Sequence, residues 1–244
     1  MFYYSCMRNA FHISVHNGAA DCNTAKAHMH HALHAALLVI AYLLSSCVSV
    51  NVKHSSNMPV AAARLQAVGT PVTVDGVVTV ASGALDEGYA VQDASGGIYV
   101  SRTHGTAVKL GDQLRVSGNI TMPKSRQIAI EPVRIDALGS GSGPAPLEIR
   151  TGAVGPATEG RLIRVQGKMI ADVEDDQPWG WKIYLDDGSG RLLVFVNTVT
   201  RIDVKALRAG QHLRVTGFSG RYEQHTELLP RDSGDVVQLD GGRP

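Results

Sequence analysis

The chain contains two copies of one module, and this repeat constrains its fold more than any other feature. Leu110–Gly118 (LGDQLRVSG) and Ala209–Gly217 (AGQHLRVTG) share glycine, leucine, arginine, valine and glycine at the same places. The turn-like Asp93–Gly96 (DASG) likewise matches Asp187–Gly190 (DGSG). A self-match with a period of about a hundred residues indicates that one structural unit occurs twice in tandem.

Each copy has the pattern of about five short β-strands separated by glycine-containing turns. Apolar and polar residues alternate with a period of two, and no segment has convincing helical spacing. Five short strands leave two bare edges unless the sheet closes, so a small barrel is expected. Gly76 and Gly167 lie inside the first strand of each copy, where a barrel strand bends. The predicted strands are 72–80, 89–93, 97–101, 110–118 and 127–138, then 162–170, 181–187, 191–197, 209–217 and 227–239.

Composition shifts divide the rest of the chain. A Gly/Ser/Pro-rich stretch at 139–147 predicts a linker between a first barrel at 61–138 and a second at 148–240. Residues 48–60 are polar and small-sided, as expected of a tether. Residues 1–47 form a presequence.

The presequence predicts export. Residues 35–46 form an apolar run that is too short for a membrane span, which needs about 20 residues, but fits the core of a secretory signal. The following Cys47, after Ser45 and Ser46, resembles the lipobox of bacterial lipoproteins. That resemblance implies lipidation of Cys47 and a cell-envelope protein anchored to the membrane. An ordinary cleaved signal or a buried apolar segment are the alternatives.

Charge and cysteine content exclude several function classes. The whole chain has a net charge of +1, and only two of its 23 basic and one of its 22 acidic residues precede Val48. A neutral body lacks the electrostatic signature of a strong, non-specific nucleic-acid binder. All three cysteines, Cys6, Cys22 and Cys47, lie in the presequence. The body therefore has no disulfide, thiolate metal site or cysteine nucleophile.

No catalytic residue, metal site or cofactor is predicted. The acidic run Glu174–Asp176 lacks the alternating oxygen ligands and the glycine of a calcium loop. No hydrolase, zinc or phosphate-binding motif occurs in the body. The histidines of the presequence, between His28 and His34, are spaced closely enough to chelate a metal. The alternative is that they belong to discarded presequence or precede the true start.

The repeated pattern resembles the OB-fold domains of secreted and envelope bacterial proteins, which occur alone in lipoproteins or beside extracellular nucleases. The resemblance rests on the segments VQDASGGIYV and LGDQLRVSG of the first copy and on Tyr222 with Glu227–Arg231 in the second. It covers about residues 61–240. It implies an all-β protein with two tandem five-stranded OB-type barrels after an N-terminal signal segment.

OB modules bind ligands across strands two and three, between the one–two and four–five loops. In the second copy, alternation places Ile183, Leu185, Leu192, Val194 and Val196 inside the barrel. Aromatic and basic residues then share the outer face and its flanking loops, an arrangement suited to base stacking with phosphate contact. The predicted ligand-binding residues are Trp179, Lys182, Tyr184, Arg191, Phe195, Arg221, Tyr222 and His225.

Two functions from different classes fit these residues. The first is weak binding of single-stranded nucleic acid by a non-enzymatic exported protein. The second is an envelope interaction module that binds a glycan or a protein partner. A third interpretation assigns the outer aromatics to an interface with the first barrel or to packing against a loop. The first copy offers only Gln92, Tyr99 and Ser101 on its outer face, so we expect the second barrel to dominate any binding.

Overall fold

The computed structural model describes residues 56–85, 88–101, 107–123 and 125–239. The predicted signal segment, Cys47 and the presequence histidines lie outside the described residues. Within the described part of the chain, no helix is long and apolar enough to cross a membrane. The described residues are almost entirely β, with one four-residue helix among them, α1 (Val60–Ala63).

The first copy is a closed five-stranded barrel. Around the barrel the strand order is β1, β2, β3, β5, β4, with β4 returning to β1. Only β3 and β5 run parallel. The long first strand pairs with β4 over its first half and with β2 over its second, which closes the ring. The strands are β1 (Pro71–Leu85), β2 (Gly88–Gln92), β3 (Gly97–Val100), β4 (Asp112–Thr121) and β5 (Ala129–Ser140).

The second copy is a closed barrel of the same topology. Its ring runs β7, β9, β10, β12, β11 and back to β7, while β6, β8 and β13 are short additions at the edges. The two tandem OB-type barrels predicted from the repeat are therefore confirmed. The strands are β6 (Leu147–Glu148), β7 (Leu162–Met169), β8 (Glu174–Asp176), β9 (Gly180–Asp186), β10 (Leu192–Asn197), β11 (His212–Tyr222), β12 (His225–Leu229) and β13 (Val236–Leu239).

The fifth strand of the second barrel differs from the prediction of one strand over 227–239. It is split into β12 and β13 by a short 3-10 turn at Ser233–Asp235. Pro230, directly after β12, has no N–H with which to continue the ladder. The Asp232 side chain accepts a hydrogen bond from Gly234 N at 2.8 Å and caps the turn.

The interior glycine of each first strand lies where the strand changes partners. Gly76 pairs with β4, and a Cβ there would stand 3.0 Å from the Val91 Cβ of β2. A Cβ on Gly167 would stand 3.2 Å from the backbone of Asp186. The absence of a side chain lets the neighbouring strand cross closely, as the sequence predicts for a bend.

Each barrel has its own apolar core, built from the inward positions of its strands. The five residues predicted to point into the second barrel are all buried, with exposures of 0 to 3%. The largest buried side chains of the first core include Tyr89, Ile98 and Ile130, and those of the second include Ile183, Leu185 and Leu213. Period-two alternation therefore predicts the inner face correctly.

The Asp-x-Ser-Gly turns do more than reverse the chain, because they also hold the segment that precedes each barrel. Asp93 accepts hydrogen bonds from Ser95 N at 2.8 Å and from Val60 N, in α1, at 2.9 Å. Asp187 accepts from Ser189 N at 2.9 Å and from the Thr151 hydroxyl at 2.9 Å. The two turn carboxylates thus hold the segment that precedes each barrel in a similar way.

These hydrogen bonds stabilise the charged form of both carboxyl groups. Burial raises the pKa of Asp93, but hydrogen bonds from Ser95, Val60 and Gly96 outweigh it, so the net shift is below the ordinary value of 3.8. The hydrogen bond from Ser189, followed by that from Thr151, holds the pKa of Asp187 well below its usual range. The carboxyl groups of both turns are therefore ionised at neutral pH.

The outer face of β2 and β3 in the first barrel packs against the second barrel. Ala90 is fully buried there, and the Tyr99 ring lies 6.3 Å from the Phe218 ring of β11. The Gln92 side chain accepts a hydrogen bond from Leu162 N at 2.9 Å, continuing the contact along β7. The surface on which an OB module binds its ligands is thus occupied in the first barrel.

Candidate ligand-binding groove

An open groove of about 1110 Å³ runs along the outer face of β9 and β10 in the second barrel. Its far wall is the hairpin that joins β11 to β12. No residue of the first barrel lines it among those described. Seven of the eight predicted binding residues line this groove: Trp179, Lys182, Tyr184, Arg191, Phe195, Tyr222 and His225.

Strand register places the floor residues side by side. β9 and β10 are antiparallel, with Lys182 opposite Phe195 and Tyr184 opposite Leu193. Residues two apart on a strand share a face, so these four side chains form one patch. Their neighbours Ile183 and Val194 point into the core and are fully buried.

Two neighbouring side chains fix the position of Tyr184, one over its ring and one at its hydroxyl group. The Arg191 guanidinium carbon lies 3.6 Å from the centre of the Tyr184 ring, a cation–π contact. The Tyr184 hydroxyl donates a hydrogen bond to Glu174 Oε2 at 3.1 Å. One face of the ring therefore carries a planar cation that can itself stack against a flat ligand.

The second cation of the groove, Lys182, has a local counterion. Its Nζ lies 2.8 Å from Asp176 Oδ1. Its hydrogen bond with Asp176 raises the pKa of Lys182 above the ordinary 10.5. Glu223 and Glu227 also line the groove, so its three carboxylates outnumber its two cations and the groove carries no positive excess.

The acidic run Glu174–Asp176 is explained by these contacts. It forms β8, which pairs with β9 and brings Asp176 to Lys182 and Glu174 to Tyr184. Asp175 accepts a hydrogen bond from Gln177 N at 2.9 Å. Among the described residues, no group of three histidine, cysteine, aspartate or glutamate side chains could hold a metal ion.

Two exposed aromatic side chains stand at the rim. Trp179 is 70% exposed, although its backbone is fixed by hydrogen bonds to Asp176 O at 3.0 Å and from Thr198 N at 3.1 Å. Tyr222, at the end of β11, is 57% exposed. Exposed aromatic rings on a fixed backbone offer apolar, flat surface to a ligand at little conformational cost.

Arg221 is not brought into the groove. It belongs to β11 rather than to a loop, and alternation directs its side chain away from the face of Tyr222. Its backbone N–H donates to the Gln127 side chain of the first barrel at 3.2 Å. The hairpin turn is therefore only Glu223 and Gln224, tighter than the loop that the sequence predicts.

Several groove residues escape sequence analysis. Gln224, Thr226 and Glu227 line the groove because β12 lies beside β10 in parallel, a long-range pairing. The sequence offers one signal for them, since an amphipathic strand begins directly after Tyr222. Asn197 also lines the groove, and its outward position follows from alternation alone.

The two barrels can be compared position by position, because Ala90 pairs with Tyr99 as Tyr184 pairs with Leu193. Four outward positions around these pairs are small in the first barrel and large in the second, although the first barrel also has the large outward residues Tyr99 and Gln92. At Gly97 the missing side chain lets the backbone of the second barrel approach, and Ala90 packs in one cluster with Phe218, whereas the large residues of the second barrel line the groove. The first-barrel residues are Gly88, Ala90, Gly97 and Ser101, and their counterparts are Lys182, Tyr184, Arg191 and Phe195.

Gly97 shows why the first face cannot serve as a groove. A Cβ at this position would lie 1.9 Å from the carbonyl oxygen of Gly160, in the segment before β7. The interpretation of Tyr184 and Phe195 as interface residues is therefore wrong for the described structure. The first barrel contributes its own small-residue face to the interface and leaves theirs open.

No protein-family model and no curated protein matches the chain. Solved structures match at low identity. A murine DNA-binding protein bound with double-stranded DNA is 12% identical with a TM-score of 0.36, and the match covers 71% of this chain and 98% of that one. The single-stranded DNA-binding protein from Thermus aquaticus is 14% identical with a TM-score of 0.26, over 73% of this chain and 97% of that one, and fission yeast Pot1 with single-stranded DNA is 12% identical with a TM-score of 0.32, over 74% and 87%. At these identities and TM-scores the similarity indicates nothing about function.

Proposed function

We propose that this protein is a non-enzymatic, exported binding protein that takes up single-stranded nucleic acid in the groove of its second barrel. One observation carries the proposal. Aromatic and basic side chains occupy the ligand position of an OB barrel in the second copy, while the same face in the first copy packs against the second barrel.

Each side chain has a defined part in this binding. Trp179, Phe195 and Tyr222 offer ring faces on which bases stack, a contact that every base can make. Arg191, extended over Tyr184, and Lys182 reach phosphate oxygens. Because the cations are few and balanced by carboxylates, binding is weak and depends more on stacking than on charge.

Binding of a short fluorescent oligothymidylate to the full-length protein tests this proposal. We expect the double variant Tyr184→Ala/Phe195→Ala to lower the affinity by about thirtyfold, since Phe195 supplies a base–aromatic contact of about 1–3 kcal/mol and the Tyr184 ring supports Arg191. With two cations contacting phosphates, the affinity should fall only about sevenfold between about 50 and 200 mM salt. Fluorescence anisotropy measures both effects.

The matched control is Leu65→Ala/Val133→Ala, which removes two apolar side chains that are 86% and 79% exposed outside the groove. It should bind like the parent protein. Equal losses in both double variants, or no binding at low salt, would exclude the groove as a nucleic-acid site.

A second candidate is recognition of a glycan or a protein partner in the cell envelope. The exposed Trp179 beside Glu223, Glu227 and Asp176 favours it, because carboxylates accept hydrogen bonds from sugar hydroxyls and repel phosphates. Affinity for a glycan should barely respond to salt, whereas affinity for an oligonucleotide should fall. The same titration therefore separates the two candidates.

Export and anchoring form a separate part of the proposal, resting on the presequence. We propose that Cys47 receives a lipid and anchors the protein in the cell envelope. The variant Cys47→Ala should then move from the membrane fraction to the soluble fraction on cell fractionation. Recovery of the parent protein in the soluble fraction, without a lipid mass at Cys47, would contradict this.

A further inference from the structure

The hairpin that forms the far wall of the groove is held by the first barrel. The Glu223 N–H, at the tip of the hairpin, donates to Ser125 O at 2.7 Å. The Arg221 N–H donates to Gln127 Oε1 at 3.2 Å. Both acceptors lie in the segment between β4 and β5, so one barrel grips the end of a hairpin in the other.

These two hydrogen bonds occupy one edge of the hairpin. β12 pairs with β11 from Phe218 to Tyr222 on one side, and β7 covers the other side of β11 only as far as Phe218. Beyond that point, the N–H groups of alternate residues, Arg221 and Glu223, point outward. Ser125 and Gln127 accept from both, much as a neighbouring strand would.

The burial of Gln127 and the backbone conformation on both sides indicate that this contact between the barrels is specific. Gln127 is a polar side chain only 8% exposed, so its carbonyl oxygen is aimed at the hairpin from within the protein. Arg126, between the two acceptors, has a φ of 63°, and Glu223 has a φ of 53°. Both residues adopt the left-handed backbone conformation, which costs about 1 kcal/mol or more for each. This conformation brings the two backbone segments together at this point.

Tyr222 lies between the two gripped N–H groups and faces the groove, with His225 paired opposite. We propose that the first barrel is a working part of the second barrel's binding site, with Gln127 as the positioning residue that sets the groove wall. The first barrel packs the outer face of its β2 and β3 against the second barrel, and its segment between β4 and β5 fixes the hairpin that carries Tyr222 and His225.

The consequence for affinity rests on the proposed function, but the consequence for the hairpin does not. Without the hydrogen bonds to Ser125 and Gln127, only the pairing of β11 with β12 would hold the hairpin closed. The hairpin would then open more often, because fewer hydrogen bonds oppose its local opening. A ligand that stacks on Tyr222 would then have to bind against a mobile wall. Loss of the Gln127 acceptor should therefore weaken binding without any contact to the ligand.

The test compares Gln127→Leu, which removes the acceptor, with Gln127→Glu, which keeps an oxygen at the same place. Gln66→Leu is the control, since Gln66 is exposed on the segment after α1 and lies outside the groove lining. Amide hydrogen exchange of the ligand-free full-length protein is measured first. We expect exchange at Arg221 and Glu223 to rise by about five- to tenfold in Gln127→Leu and to stay near the parent rate in Gln127→Glu.

Oligothymidylate affinity is measured second, in the parent and in the Tyr222→Ala background. Gln127→Leu should weaken binding several-fold in the parent and add little once Tyr222 is gone, because both changes act through one side chain. Unchanged exchange at Arg221 and Glu223, or full additivity with Tyr222→Ala, would overturn the proposal. If the parent binds no oligonucleotide, the proposed function fails, while the exchange result still decides whether the first barrel holds the hairpin.

Discussion

Replacing Arg231 by leucine should lower the free energy of unfolding by about 3–5 kcal/mol, as expected when one partner of a buried ion pair is removed. The Arg231 guanidinium donates two hydrogen bonds to the Asp235 carboxylate, at 2.7 and 2.8 Å, and both side chains are at most 14% exposed. Burial lowers the pKa of Arg231, but the Asp235 hydrogen bonds outweigh it, and the net shift is upward. Without the guanidinium, Asp235 is left as a buried charge.

The same guanidinium also joins the two barrels, because its Nη1 donates to Thr79 O at 2.8 Å. Urea unfolding of Arg231→Leu measures the loss. The double variant Arg231→Met/Asp235→Leu should recover most of it, since an apolar pair replaces the ion pair without stranding a charge. A loss below about 1 kcal/mol in the single variant would show that solvent reaches this pair freely.

Gly97→Val should separate the two barrels. Gly97 and Gly160 meet backbone to backbone, and a Cβ on either would lie about 2 Å from the other's carbonyl oxygen. Valine suits a β-strand better than glycine does, so strand propensity cannot explain a loss. Because only backbone movement relieves this overlap, we expect the docking to fail, with a destabilisation of about 4 kcal/mol or more.

Small-angle scattering and urea unfolding measure this effect. We expect a larger radius of gyration and two unfolding transitions, one for each barrel. Gly155→Ala is the control, because a Cβ at Gly155 would meet nothing within 4 Å. An unchanged radius with a single transition in Gly97→Val would contradict the close backbone contact.

The fold was predictable because its signals are local. The repeat predicts two copies of one unit, and the alternation of apolar and polar residues predicts the buried face of each strand. The Asp-x-Ser-Gly sequence specifies each hairpin turn through its own side-chain hydrogen bonds. Gly76 and Gly167 mark the bends where closure requires close strand crossing. Each signal lies within a few residues of the structure that it determines.

The groove was only partly predictable, because its walls come from distant segments. The floor residues follow from alternation on β9 and β10, but the hairpin wall depends on the parallel pairing of β12 with β10. The ion pair of Lys182 with Asp176 depends on β8 folding back on β9. That pair weakens the expected contact, since a phosphate must compete with Asp176 for the Lys182 ammonium group.

Docking of the barrels was the largest feature that sequence analysis missed. Ala90 and Gly97 are the small residues of the docked face, and they stand out only when the two copies are aligned strand by strand. Glycine and alanine in a strand also have local explanations, so the signal is ambiguous by itself. The comparison with Lys182 and Tyr184 resolves it, because one face packs against the other barrel and the other lines an open groove.

The most direct test of the central claim is photocrosslinking of oligothymidylate to the full-length protein, with mass spectrometry to locate the crosslinked residues. Crosslinks at Trp179, Tyr184, Phe195 and Tyr222, lost when unlabelled oligonucleotide competes, are the predicted result. Crosslinks on the first barrel, or spread over the surface without competition, would contradict a nucleic-acid site in the groove.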